Sequence, residues 1–554
     1  MKPDKNRKTQ FFVLIGIAVL ALVYSRFPCH RYFIDGLTSA SEIEYGSRLS
    51  IHPNHPLFPL VPQIIFDFIV ARVPDASALG FLLLWSIAFG VLSCWLFTLV
   101  LRKSGLALST ILISLGLFGF SAGSWFFFAT PNQYSTALAF HLFTLVYIAG
   151  ILRNDKVPTI GQSIGLGALI GLAILAHQVN ALLIVPAIYA LYVKRGKISV
   201  NLSAMIIPAI LISVGGLLFS GFVLAGIRNF SEFITWQKSY VTRSWYWASG
   251  LSDAFVRSLH GKIEVFLAHV FHSEGLFGDW SMNSPPGVLL GRFLLRIGQA
   301  YVLVFLTVET FLAFFDLFKR ENRSPLKLLG LFTLLPIALF ASVFTPESIN
   351  YRIFYLPGYF LFLAFRLERK FKLRNFAFKK AWPVILAVIF IFLCNFIVKF
   401  LPESNPKNNP YIAEAGLIAD SVNPGCLFVF SGADDDYLRA QYVRYFAHED
   451  ILFAYELIDE IRSNPNELVK SFLGALNAGK TVFVHEDVLN SDYDIKWLND
   501  FYGLDIKPGE FKKFFRIFSR DPESILINDK KYYIINPVPI EPPPPASSSY
   551  RTSD

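Results

Sequence analysis

Long apolar runs separated by short polar breaks dominate the first 400 residues. The run FFVLIGIAVLALVYS follows a basic start, MKPDKNRKTQ. A basic start before an apolar run resembles a signal peptide. No small-residue cleavage site follows, however, because Arg26, Phe27, Pro28 and Cys29 come next. The pattern therefore predicts an uncleaved first helix over 10–26. Further runs long enough to cross roughly 30 Å of hydrocarbon fall at 78–101, 105–128, 133–152, 160–176, 180–193, 201–227, 289–317, 326–345, 349–366 and 380–401. The expectation is about eleven transmembrane helices. The segment 57–73 is apolar but carries Pro59, Pro62, Asp67 and Arg72, and reads as an amphipathic helix lying along an interface.

Lys and Arg set the orientation. They gather at the N-terminus and in or beside 102–104, 153–159, 194–200, 318–325 and 367–379, whereas the turns at 129–132, 177–179 and 346–348 have none. Positive residues stay on the cytoplasmic side. That places the N-terminus inside, and outside it places loops at 27–77 and 228–288 and everything after 401. Merging 160–176 with 180–193 into one helix would break this pattern.

The character changes after residue 401. CLFVFSG (426–432), ILFAYEL (451–457), TVFVHED (481–487) and KYYIINP (531–537) read as strands, with helices at 436–447, 463–477 and 493–502 between them. Alternation of this kind predicts a small α/β unit over 402–537 with a largely parallel sheet. The end, 538–554, is Pro- and Ser-rich and reads as a disordered tail.

Composition agrees with this reading. Of 554 residues, 54% are hydrophobic, 16% are charged and 56 are Phe. A soluble chain is nearer one-quarter charged, so a soluble enzyme, a disordered chain and a disulfide scaffold are excluded, the last also by the four Cys. The net charge of +9 belongs to the cytoplasmic loops and calls for no nucleic acid.

Candidate chemistry lies in four polar clusters on the predicted outer face, where intramembrane cost makes polar groups informative. The first loop holds Asp35, Glu42, Glu44, Tyr45 and the string His52-Pro53-Asn54-His55-Pro56. A carboxylate close to the membrane is partly desolvated, which suits a general base; a helix cap or solvated charge is the bland alternative. Two His alone fall short of a zinc site, which usually takes three protein ligands. The second cluster is His177-Gln178-Val179-Asn180. The third runs from Pro346 to Arg352, and an Arg at a helix mouth suits a phosphate or snorkels to the interface. The fourth, in the 228–288 loop, holds Trp236, Trp245, Tyr246, Trp247, Trp280, Arg243, Asp253 and Arg257. Aromatic faces there stack on sugars or form an interfacial belt. The run Asp434-Asp435-Asp436 reads as a helix N-cap with solvated neighbours.

Together these features resemble the GT-C superfamily of membrane glycosyltransferases, and within it the protein O-mannosyltransferase-like branch. The resemblance rests on Asp35 early in a long outer loop, on Gly46-x-x-Leu49-x-x-His52-Pro53, on GLAILAHQVNALLIVPAIYAL (171–191) and on YRIFYLPGYFLFLAF (351–365). FVFSGADDDYLRAQYVRY (428–445) resembles the opening of that branch's outer domain. His-Pro-Asn-His stands where the branch has His-Pro-Pro-Gly.

The resemblance implies an inverting glycosyltransferase that uses a polyprenyl-phosphate-linked sugar and a protein, lipid or glycan acceptor. Asp35 would be the base, with Glu42 or Glu44 sharing that role or binding the acceptor. Arg352, aided by His177, His55 and His52, would hold the donor phosphate. Tyr45, Trp245 and Trp247 would contact sugar or acceptor. No cofactor is certain; some members use a divalent cation and others none. A bacterial inner membrane with a periplasmic C-terminal unit is the expected setting. A transporter or lipid flippase is the rival reading, and it would call for midplane charges and an inverted repeat.

Overall fold

The computed structural model describes residues 3–46, 51–194, 198–239, 246–271, 276, 286–319, 324–372, 378–456, 474–502, 504–516 and 523–535. The chain divides into two units, Met1–Asn408 and Asn409–Asp554.

The first unit is helical. Its helices are α1 (Pro3–Arg26), α2 (Ile34–Tyr45), α3 (Leu60–Val70), α4 (Ala78–Lys103), α5 (Leu108–Gly119), α6 (Ala122–Phe128), α7 (Tyr134–Arg153), α8 (Ile160–Ala176), α9 (Ile184–Val193), α10 (Ile198–Phe219), α11 (Phe230–Lys238), α12 (Leu251–Glu264), α13 (Pro286–Phe318), α14 (Pro325–Val343), α15 (Leu356–Lys372) and α16 (Phe378–Asn395). Each expected span coincides with helix. By length and composition, seven helices among the described residues suffice to cross a membrane, and α5 with α6 gives an eighth. Length and apolarity thus support fewer spans than the eleven expected. Helix α8, at 17 residues, reaches only about 25 Å, and α15 carries a charged end, Arg366 to Lys372.

The run 105–128, expected as one helix, is broken instead. Helices α5 and α6 meet at 69°, and at the break the Ser121 hydroxyl donates to the Phe118 carbonyl and to Ser124 Oγ. The core packs α4 on α7, α8 on α10 and α14 on α15. An ion network ties α13 to α15: Glu309 pairs with Arg366 and Lys370, and Asp316 with Arg366 and Arg369. Helix α3 buries only Pro62 and Phe66 and leaves Ile64 and Phe68 exposed, as an interfacial helix would.

The second unit holds a five-stranded sheet in the order β2-β1-β3-β5-β4, with β1 Leu427–Phe430, β2 Asp450–Phe453, β3 Val482–His485, β4 Ser524–Ile527 and β5 Lys530–Ile535. β1 runs parallel to β2 and β3, while β5 is antiparallel to both β3 and β4. The sheet is therefore mixed, because a hairpin not foreseen in the sequence supplies β4. Asn528 and Asp529, both at positive φ, form its turn, a conformation these two residues tolerate. The expected helix at 463–477 falls mostly outside the described residues, as does the tail 538–554.

Candidate active site

One end of the helical unit holds a cavity of about 440 Å³. Stretches distant in sequence wall it: the start of α2, the His52–His55 turn, the 133–134 corner, Tyr246, Arg257 of α12, and 345–351.

Asp35 sits in the first turn of α2. Its Oδ2 accepts a 2.6 Å hydrogen bond from Gln133 Nε2. That bond requires α2 to lie hard against the 130–133 corner. Gly36 permits the approach, since a Cβ at that position would lie 2.0 Å from the Pro131 carbonyl oxygen.

The two imidazoles of the His-Pro-Asn-His turn stack with centroids 4.6 Å apart, and both line the cavity. His55 Nδ1 lies 3.0 Å from the Phe58 carbonyl. A carbonyl only accepts, so the proton sits on Nδ1 and Nε2 is left as an acceptor. Burial pushes this imidazole below its usual range, against the opposing pull of Asp35. Asn54, also on the wall, has its side-chain amide 3.2 Å from His177 Nε2 and 3.3 Å from the Tyr351 hydroxyl.

Across the cavity stands Arg257. Its Nε donates to Glu347 Oε1 at 2.9 Å, and its Nη1 lies 3.4 Å from Asp253 Oδ2. Two buried polar atoms of wall residues, Gln133 Oε1 and Thr345 Oγ1, have no hydrogen-bond partner. Thr345 also holds φ at 48°, a conformation that costs energy outside glycine. Both atoms are free to take a hydrogen bond from within the cavity. A second, more apolar cavity of about 230 Å³ shares Asn54 and Tyr351 with the first and adds Leu182, Trp247, Phe340 and Phe344.

The structure sorts the residues expected from sequence. Asp35, His52 and His55 converge on the main cavity, and Trp247 lines the apolar one. His177 is fully buried behind the wall, packed against the wall residues Asn54, Tyr134 and Tyr351. Glu42 does not line it. Glu44 Oε2 accepts from the Ala78 amide and so caps α4, while its Oε1 accepts from the Tyr45 hydroxyl, which holds both residues at the surface. Trp245 lies outside the described residues.

Arg352 corrects the expectation most. It is fully buried and absent from the cavity lining. Its guanidinium donates to the carbonyls of Ser348 (2.5 Å), Pro346 (2.6 Å), Ala341 (2.9 Å) and Thr345 (3.4 Å), and to Ser258 Oγ. Gly261 leaves room for it, because a Cβ there would lie 2.8 Å from Arg352 Cζ. The cavity cation is instead Arg257. Its i,i+4 relation to Asp253 was a legible helical signal, whereas Gln133 carried no signal of its own.

Among the described residues, three potential metal-ligand atoms come together at one place only, Asp436, His485 and Asp487 of the second unit.

No protein-family model matches the chain, and no curated protein is similar to it in sequence. Solved structures are similar in fold. ArnT from Cupriavidus metallidurans in the apo state superposes with a TM-score of 0.57 at 12% identity, over 95% of this chain and 98% of that one. The same protein bound to undecaprenyl phosphate gives 0.56 at 12% identity, over 94% and 98%. The chain thus shares its fold with ArnT, and the seven long apolar helices among its described residues mark it as an integral membrane protein.

Proposed function

We propose that the chain transfers a sugar from a polyprenyl-phosphate donor to an acceptor hydroxyl at the outer membrane face. The observation that carries this reading is the placing of Asp35 and Arg257 on one polar cavity that shares two wall residues with an apolar one. A lipid-linked donor needs such a pair of compartments, one for its charged head and one for the start of its tail. Similarity in fold to a protein that binds undecaprenyl phosphate supports the choice of donor.

In this mechanism Asp35 accepts the proton of the acceptor hydroxyl as its oxygen attacks the anomeric carbon. The bond from that carbon to the phosphate oxygen breaks, and polyprenyl phosphate leaves with the electron pair. Base and leaving group stand on opposite faces of the sugar, so configuration inverts and no covalent intermediate forms. The Gln133 bond fixes the orientation of Asp35. Arg257 stabilises the charge that grows on the leaving phosphate, with the orphaned Thr345 hydroxyl as an added donor. The Lys and Arg pattern supports an N-terminus in the cytoplasm and a cavity on the opposite side of the membrane, which in this reading is the periplasmic side of a bacterial inner membrane.

The test is turnover by the purified protein with a panel of polyprenyl-phosphate hexoses, mannose included, read as lipid phosphate released in the presence of cell-extract acceptors. Wild type turns over and Asp35→Asn loses at least a hundredfold with its fold intact. Equal turnover in both excludes Asp35 as base, and no turnover with any donor removes the reading.

A further inference from the structure

The second unit carries a polar cluster that sugar transfer does not use. In the order β2-β1-β3, the chain leaves β1 toward β2 on one side and leaves β3 toward the other. The carboxyl ends of β1 and β3 therefore flank a topological switch point, where open α/β sheets hold their ligands. Asp436, in the first turn of the helix Asp434–Tyr442, follows β1 there. His485 ends β3, and Asp487 lies in the next turn. The N-cap expected at Asp434–Asp436 is in fact Ala433, and Asp436 is buried rather than solvated.

The geometry is that of a ligand set. His485 Nδ1 lies 3.1 Å from Asp436 Oδ1 and 3.4 Å from Asp487 Oδ2, and all three ligand atoms fall within 4.8 Å of one another. Ligands at about 2.0–2.2 Å from a tetrahedral cation stand about 3.3–3.6 Å apart. His485 is fully buried; its Nδ1 faces only the two carboxylates, and its Nε2 has no hydrogen-bond partner, a costly state for an imidazole in a core. The charge balance agrees. Asp436, Asp487 and Glu414 face a single cation, Arg439, whose Nε is held by Glu414 at 3.0 Å and whose Nη1 lies 3.0 Å from Asp436 and 3.8 Å from Asp487. Two negative charges are left uncompensated, and the Glu414 anchor keeps Arg439 in place when Asp436 turns to a new partner.

We propose that Asp436, His485 and Asp487 bind a divalent cation of the zinc type, through one imidazole nitrogen and two carboxylate oxygens, with water as fourth ligand. Imidazole with carboxylate suits zinc over calcium or magnesium. Asp487, one-third exposed, opens the fourth position to solvent. The site is independent of the sugar-transfer reading.

The experiment uses full-length protein in detergent, stripped with EDTA, dialysed against Zn(II), then freed of excess metal. Metal content is measured for wild type, His485→Ala and Asp487→Asn, and Co(II) replaces Zn(II) for ligand-field absorption. Wild type retains one equivalent more than either variant, binds Zn(II) at least tenfold more tightly, and alone gives the absorption of tetrahedral Co(II). Asp487→Asn, at a part-exposed position, keeps its far-UV circular dichroism, so its loss of metal reports the site and not the fold. Equal zinc in all three proteins, or none retained by wild type, overturns the proposal.

Discussion

Arg352 and Arg257 make opposite predictions from the same residue type. Replacing Arg352 with Met removes the donor from three carbonyls that it holds at 2.5–2.9 Å, those of Ser348, Pro346 and Ala341. Each buried acceptor left without a partner costs about 1–3 kcal/mol, or about 3–9 kcal/mol for the three. That approaches the whole stability of a typical domain, about 5–15 kcal/mol. Arg352→Lys keeps the charge but loses the planar fork. It reaches one or two of the carbonyls and costs about 1–6 kcal/mol. The assay pairs thermal unfolding in detergent with donor kinetics measured well below the transition. Arg352→Lys unfolds about 5 °C or more below wild type, while its folded fraction keeps the wild-type KM for donor. Arg257→Ala does the reverse: it unfolds near the wild-type temperature, and kcat/KM falls about a hundredfold or more, the loss expected when a charge-stabilising donor is removed. An Arg352→Lys protein of unchanged stability with a raised donor KM would refute the reasoning and return Arg352 to the phosphate.

Three further outcomes follow from the same geometry. Gly36→Ala drives a methyl into the Pro131 carbonyl, shifts Asp35 off Gln133, and lowers turnover about a hundredfold in single-turnover assays on protein that still folds. His55 is held below its ordinary value of 6.5 by burial. Above that pH neither the folded nor the unfolded state is charged there. As pH falls below 6.5 the unfolded chain takes up a proton that the folded chain refuses, so stability is lost. Unfolding temperatures measured from pH 8 to 5 fall less steeply for His55→Gln than for wild type, and parallel curves would contradict this. Trp247→Ala opens the apolar cavity and raises KM about tenfold for a long polyprenyl donor, with little change for a donor truncated to two isoprene units; equal effects on both would separate that cavity from the lipid.

Much of the helical unit was legible because a long apolar run marks a helix suited to hydrocarbon whether or not protein covers it. The α5–α6 break was not, because 105–128 is apolar throughout and the first amides of α6, those of Ala122 and Gly123, bond to the carbonyls of Phe266 and Val265 far along the chain. Asp35 and the two loop imidazoles were legible as polar groups in an expensive place. Arg352 was legible as a charge but not in its direction, since its acceptors come from the 341–348 segment folding over it and its space from Gly261, about ninety residues earlier. Gln133 and Arg257 needed the fold, because only the tertiary arrangement brings either near Asp35. In the second unit the runs at β1, β2, β3 and β5 were plain. β4 was not legible, because Ser-Ile-Leu-Ile is only four residues long and takes its place in the sheet only by pairing with β5.

The ion pair between Arg257 and Glu347 bears on how the catalyst lets go. An isolated guanidinium facing an empty cleft would clamp the spent lipid phosphate and throttle the cycle. With Glu347 already at 2.9 Å, a resident anion competes for the same nitrogen at an effective concentration that no free ion matches. On the proposed function, Glu347 would displace the departing phosphate and act as a return spring, giving up ground-state affinity in exchange for a faster off-rate and less inhibition by accumulated product.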